Sequence, residues 1–130
     1  MSRIIGIGTD IVEIQRLQAS IERCGDPFLA KVYTPEELAD KPQNPQRAAE
    51  YLAGRWAAKE AFAKALGTGI VDECRLNEIS VRNEELSRRP VMLLSGNASA
   101  TAFRLGVKHI HVSISHEKHY AVATVLLEGE

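Results

Sequence analysis

The 130-residue chain has two cysteines, too few for a disulfide scaffold, and Cys24 and Cys74 stand fifty residues apart without metal-ligand spacing. Two reduced, buried thiols are expected. A dominant charge is also missing: 16 Lys+Arg oppose 17 Asp+Glu, for a formal net charge of −1. Wholesale binding of a nucleic-acid backbone needs a broad basic face, so that class is excluded, although a total near zero conceals local patches. No uninterrupted apolar run approaches the roughly 18 residues of a membrane span, so no membrane partner is expected. There is no internal repeat and no linker long enough to divide the chain. The segment Met1 to Asp10 carries an acid within its apolar stretch and lacks a small-residue cleavage site, which makes it a first strand rather than a signal peptide. A soluble, cytoplasmic protein is the expectation.

What is present is an ordinary globular balance, 45% hydrophobic and 25% charged, over the length of one domain, residues 1–130. Residues 3–12 read as a buried strand with Ile5, Ile7, Thr9 and Ile11 on one face and Ile4, Gly6, Gly8, Asp10 and Val12 on the other. A strand glycine marks close approach of another backbone or a ligand, and here two of them lead to one carboxylate. Ile14, Leu17 and Ile21 are at helical spacing up to Gly25. Thr34-Pro35-Glu36-Glu37 is a capping box, and Asn44-Pro45 repeats the cap-then-proline signal to open the longest helix, 45–66, with eight alanines from Ala48 to Ala65 and Gly67 to close it. Strands follow at 76–83 and 90–94, a helix from Ser95 to about 105, and a hairpin of 109–115 with 119–127. Hairpins outnumber βαβ units, so the fold class is α+β: an antiparallel sheet packed against a long central helix and shorter helices.

Gly6-Ile-Gly8 lacks the third glycine of a dinucleotide fingerprint, since Ile11 stands there. His109 and His111 have a zinc-like spacing, but Ser113 and Ser115 continue the same face, which is that of an amphipathic strand. His116 is in the inward phase of Ile110, Val112 and Ile114, so it is either a half-buried turn residue or a group pointed into a cleft. On the long helix, Glu60 and Lys64 share a stripe with Trp56, while Lys59 falls in the apolar arc of Leu52, Trp56 and Ala63. A lysine there needs an anionic partner or a long snorkelling reach. If Asp10 and Glu60 converge, two carboxylates with little else would suit Mg²⁺, which keeps waters and takes its other oxygens from substrate phosphates. Lys64, Lys59 and Arg55 would then offset phosphate charge. Spacing alone does not pair Asp10 with Glu60.

Gly6-Ile-Gly-Thr-Asp-Ile-Val-Glu13, Ala53-Gly-Arg-Trp-Ala-Ala-Lys-Glu-Ala-Phe-Ala-Lys-Ala65, Gly67-Thr68-Gly69 and His111-Val-Ser-Ile-Ser-His116 occur in order and at separations that resemble the 4′-phosphopantetheinyl transferase family, most closely its short bacterial type. The resemblance implies transfer of the 4′-phosphopantetheine arm of coenzyme A to a serine hydroxyl of an acyl carrier protein, with release of adenosine 3′,5′-bisphosphate. By the same resemblance, Asp10 and Glu60 match the Mg²⁺ ligands, Lys64 the lysine near the pyrophosphate and His116 a histidine by the coenzyme's phosphates. Arg55 and Lys59 are weaker candidates for coenzyme contacts, and the Gly67, Thr68, Gly69 loop would admit the adenosine. Trp56 stands where relatives often have phenylalanine. The proton acceptor is left open between Glu60 and a metal-bound water, with His116 or Lys64 assisting.

Acyl carrier proteins are small and acidic, and Arg16 and Arg23 are two turns apart on the same side of the first helix, a basic docking strip beside Asp10. The longer type of the family resembles two such units fused around a shared site, so a one-unit chain is expected to be a homo-oligomer, a trimer by resemblance, with sites at subunit interfaces. Two other readings compete: a Mg²⁺-dependent phosphohydrolase acting on coenzyme A, and a non-catalytic coenzyme A or carrier-protein binding module.

Overall fold

A computed structural model describes residues 2–68 and 74–130. The element order is β1 (Arg3–Glu13), α1 (Ile14–Cys24), α2 (Asp26–Val32), α3 (Pro35–Asp40), α4 (Pro45–Leu66), a 3₁₀ turn (Leu76–Glu78), β2 (Ile79–Asn83), β3 (Pro90–Leu94), α5 (Gly96–Arg104), β4 (His109–His116) and β5 (Tyr120–Gly129). The α+β class holds, but the strands form two sheets: β1-β5-β4, antiparallel throughout, and the separate hairpin β2-β3. The predicted strand at 76–83 begins as the 3₁₀ turn, and α2 was not foreseen.

The caps read from the sequence are present. Thr34 Oγ1 accepts from the Glu37 amide at 3.2 Å while Glu37 Oε1 accepts from the Thr34 amide at 2.9 Å. Asn44 Oδ1 accepts from the Arg47 amide at 3.0 Å, Pro45 opens α4, and Gly67 ends it at φ 84°. The alanine-rich α4 is buried over most of its length from Leu52 onward, with Ala53, Ala57, Ala58, Ala61 and Phe62 fully covered and even Arg55 and Lys59 enclosed. One core lies between α4, the three-stranded sheet, β2-β3 and α5; a second lies between α1, α2 and the first half of α4.

The glycines of β1 explain how closely α4 sits on the sheet. A Cβ on Gly8 would stand 2.8 Å from the Ala65 nitrogen and 3.0 Å from Lys64 Cβ, and closer still to the Ala61 carbonyl oxygen. Backbone meets backbone there, as the strand glycines suggested. Nearer the middle of α4, Gly54 lies under Ile114 of β4, and one turn earlier Glu50 approaches His116 at the end of that strand. The helix therefore runs diagonally, its first half over β4 and its second half over β1.

The bulge between Ile4 and Gly6 corrects the predicted face of β1 near its start: Ile5 turns in against the core and Ile4 is left 67% exposed. Beyond it the alternation is as expected, with Gly6, Gly8, Asp10 and Val12 toward α4 and Ile7, Thr9 and Ile11 outward. Of the two thiols, Cys74 is buried and its pKa is pushed up by burial to about 11, whereas Cys24, expected to be buried, is exposed at the end of α1. No helix among the described residues is long and apolar enough to cross a membrane.

Candidate active site

Asp10 sits near the end of β1 on the face turned to α4, and Glu60 and Lys64 lie one turn apart on the stretch of α4 that crosses β1. The Lys64 ammonium donates to Asp10 Oδ1 at 2.9 Å and to the Thr9 carbonyl at 3.0 Å. Asp10 and Glu60 feel each other's charge: burial raises the Glu60 carboxyl above its ordinary range, the Asp10 carboxylate raises it further, and the Lys64 ammonium pulls the other way. The spacing argument could not pair the two acids; the close approach of β1 to α4 does.

Asp10 and Glu60 open onto a groove of about 360 Å³ whose wall includes Arg16 and Ser20 of α1, Phe28 of α2 and Trp56 of α4. Trp56 and Phe28 stack with ring centroids 5.6 Å apart and planes 9° from parallel. Trp56 was foreseen on the Glu60 stripe, but its partner Phe28 lies on the unforeseen α2. Arg16 thus stands in the groove with the two acids, and exposed Arg23 lies two turns farther along α1, roughly 10 Å away along the axis.

The other candidates are placed elsewhere. His116 pairs with Ala121, which pairs with Val12, so it is two strands across and one row along from Asp10, a separation of roughly 12 Å. It is 48% exposed, and its Nδ1 is 4.0 Å from Glu50 Oε1 on the first half of α4. Arg55 is turned away from the groove. Its guanidinium lies 4.2 Å over the Tyr51 ring and donates from Nη2 to Asn83 Oδ1 at 3.3 Å, while its buried Nε has no partner among the described residues. A second pocket there is bordered by Arg82 and Arg88. Tyr51, Asn83 and Arg88 carried no local signal in the sequence. Gly67 and Thr68 follow Lys64 at the C-terminal end of α4, and Gly69 lies outside the described residues.

Lys59 departs from its expected role as a coenzyme contact. It is fully buried, with its ammonium donating to Glu37 Oε1 at 2.5 Å, to the Val32 carbonyl at 2.5 Å and to the Leu76 carbonyl at 3.1 Å. All three of its protons are spent inside the core, so none reaches a ligand. The anion that a lysine in the apolar arc demanded is Glu37, a residue the sequence displayed only as a helix cap. His111 Nε2 lies 3.1 Å from Glu128 Oε1 on the outer sheet face, as the amphipathic-strand reading requires.

Among the described residues no three His, Cys, Asp or Glu side chains form a metal-holding group. The Asp10–Glu60 pair nevertheless suits a hard cation that completes its shell with water and phosphate oxygens. The two acids repel each other, Lys64 engages Oδ1 of Asp10, and the groove beside them is open.

The chain is 49% identical over 126 residues to the holo-[acyl-carrier-protein] synthase of Vibrio parahaemolyticus, covering 97% of this chain and 98% of that one. The crystal structure of the Neisseria meningitidis holo-[acyl-carrier-protein] synthase superposes with a TM-score of 0.87 at 36% identity, over 96% of this chain and 98% of that one. The Bacillus anthracis synthase in complex with CoA (3′,5′-ADP) does so with a TM-score of 0.80 at 37% identity, over 98% of each chain. Residues 6–125 match the family described as the 4′-phosphopantetheinyl transferase superfamily, and on that match and these relatives the chain belongs to that superfamily.

Proposed function

We propose that the chain is a holo-[acyl-carrier-protein] synthase, transferring the 4′-phosphopantetheine arm of coenzyme A to a serine hydroxyl of an apo acyl carrier protein in the cytoplasm, with Mg²⁺ held by Asp10 and Glu60 and adenosine 3′,5′-bisphosphate released. The observation that carries the reading is the convergence of Asp10 and Glu60 in one groove with Arg16, with Lys64 bonded to Asp10. When bound, Mg²⁺ would polarise the pyrophosphate that is cleaved. Lys64, half exposed and tethered to Asp10, has its ammonium where it can neutralise charge on the departing phosphate. Arg16 and Arg23 offer an acidic carrier a basic strip leading to the groove, which favours encounter more than final affinity.

The second half of the reading is a trimer. The outer face of β1-β5-β4 carries the rows Ile7–Leu126–His111, Thr9–Thr124–Ser113 and Ile11–Val122–Ser115. Ile7 and Ile11 are 63% and 65% exposed, an apolar stripe that monomers seldom leave bare. His116 and Arg55, matched by resemblance and by charge to the coenzyme's phosphates, lie away from Asp10 in their own chain, which favours a site shared between subunits. The buried Nε of Arg55 is without a partner among the described residues, in a pocket where Arg82 is paired with Asp40 and where Arg88 and Glu85 also stand, so an anion there would be met by Arg55 and Arg88 against two carboxylates.

The test is incubation with coenzyme A, Mg²⁺ and apo acyl carrier protein, with the carrier followed by mass. A gain of one phosphopantetheine arm that disappears with Asp10→Ala or Glu60→Ala, both retaining the native circular dichroism spectrum, is the expected outcome. Hydrolysis of coenzyme A with no gain by the carrier would replace this reading with a phosphohydrolase.

A further inference from the structure

Lys59 and Glu60 are consecutive, yet they project about 100° apart, one into the core and one toward Asp10. The core side is a junction. Glu37 Oε1 takes the Lys59 ammonium and the Thr34 amide, and Oε2 takes the Val81 amide at 2.7 Å; Lys59 in turn reaches the last carbonyl of α2 and Leu76 of the 3₁₀ turn. One buried ion pair therefore ties α2, the N-terminus of α3, α4, the 3₁₀ turn and β2 together, with both side chains fully covered. The opposite side of α4 rests on Gly6 and Gly8, which fix its distance from β1, and its side-chain tie to that strand, Lys64 to Asp10 and the Thr9 carbonyl, is half exposed, whereas the Lys59 junction is fully buried.

We propose that the Lys59–Glu37 pair is a positioning device for the Asp10–Glu60 site, setting the rotation of α4 about its axis so that Glu60 faces Asp10. A carboxylate rides roughly 6 Å from the helix axis, so a turn of about 10° carries it about 1 Å. Metal–oxygen distances tolerate only about 0.2 Å. Stability alone is a weak reason to keep such a pair, because apolar replacement of a buried ion pair is often neutral or better. The inference rests on the Mg²⁺ reading given above.

The experiment is a calorimetric Mg²⁺ titration of the protein saturated with coenzyme A, without carrier, paired with the Mg²⁺ dependence of transfer. The double variant Lys59→Met/Glu37→Gln removes the charge pair; its carboxamide oxygen can accept from one of the Thr34 and Val81 amides and not both, so a lower Tm is part of the expectation. It is expected to melt cooperatively and to bind coenzyme A as before, while Mg²⁺ affinity falls roughly tenfold or more, as when supporting groups behind metal ligands are lost. Lys59→Arg keeps the charge but lengthens the reach, and is expected to shift Mg²⁺ affinity in the same direction. A folded double variant with unchanged Mg²⁺ affinity overturns the proposal. So does a double variant that fails to fold while Lys59→Arg binds Mg²⁺ normally, since the pair is then structural only. Asp10→Asn separates the two readings: if it leaves the titration unchanged, the metal assignment itself has failed and the positioning role falls with it.

Discussion

Replacing Gly8 by alanine adds one methyl group where β1 crosses α4. That Cβ would meet the Ala65 nitrogen at 2.8 Å and the Ala61 carbonyl oxygen closer still, against an ordinary contact of 3.4 Å or more. The obstacles are backbone atoms, so strand and helix must separate by about 0.6 Å or more. Overpacking of this kind costs about 1–3 kcal/mol, and the backbone contact puts Gly8→Ala at the upper end. For a chain of this length that lowers Tm by about 8–12 °C. The larger effect is on chemistry, because the gap opens between Asp10 on one element and Glu60 and Lys64 on the other; a misplacement approaching 1 Å costs about 100-fold in rate. The assay is thermal melting together with the rate of phosphopantetheine transfer at saturating Mg²⁺, with Gly25→Ala as the control. Gly25 has φ 66° and ψ −149°, a conformation almost reserved to glycine, with nothing within 4 Å of a Cβ, so its alanine variant costs about 1–3 kcal/mol of backbone strain, a destabilisation comparable to that of Gly8→Ala, and leaves transfer unchanged. If Gly8→Ala melts and turns over like the parent, the strand–helix contact does not set the site.

Glu60 has its pKa raised in the folded protein by burial and then by Asp10, so the folded state holds its proton to higher pH than the unfolded chain does. Stability is therefore lost as pH rises from the ordinary carboxylate range through the raised value, and in metal-free protein Glu60→Gln should raise Tm at pH 7 and leave it unchanged near pH 4. A Tm for Glu60→Gln at pH 7 below that of the parent would contradict the sign. Arg16→Glu should raise KM for the carrier severalfold at low salt and less at high salt, with kcat nearly unchanged; a salt-independent KM would remove Arg16 from the docking strip. Ile11→Asp, on the outer sheet face, should give monomers by analytical ultracentrifugation and abolish transfer, and an active monomer would dispose of the shared site.

The parts of the fold legible in the sequence were those written in neighbouring residues. Asn44-Pro45 and Gly67 bracketed α4, Thr34 and Glu37 announced their own reciprocal bonds, and Gly6 and Gly8 marked a close crossing. The unforeseen features depend on partners distant in the chain. Helix α2 is seven residues with no helical period long enough to register, and it is held by packing against α1 and α4. The Lys59–Glu37 bond spans 22 residues, so each half was visible as a local feature while the bond was not. The bulge between Ile4 and Gly6 exchanges which isoleucine faces inward; Gly6 stands at the shift, but it reads equally well as the close-approach glycine it also is, so the sequence did not reveal the bulge. For the site, residue chemistry proposed Asp10, Glu60 and Lys64, resemblance paired them, and the geometry brings them together; Arg55 stands apart because it points toward Tyr51 and Asn83, and His116 because it ends β4, two strands from β1.

The diagonal course of α4 has a genetic consequence. In the proposed trimer each chain would contribute two unlike halves, Asp10 and Glu60 where α4 crosses β1 and His116 at the end of β4, and the first half of one subunit would work with the second half of the next. A subunit damaged at Glu60 still lends a sound His116 to its neighbour, and one damaged at His116 still offers a sound Glu60. Two inactive alleles of these kinds would therefore complement when expressed together: with random mixing in a closed ring, about one site in four draws both halves intact. Two alleles damaged in the same half would never do so, however they assemble.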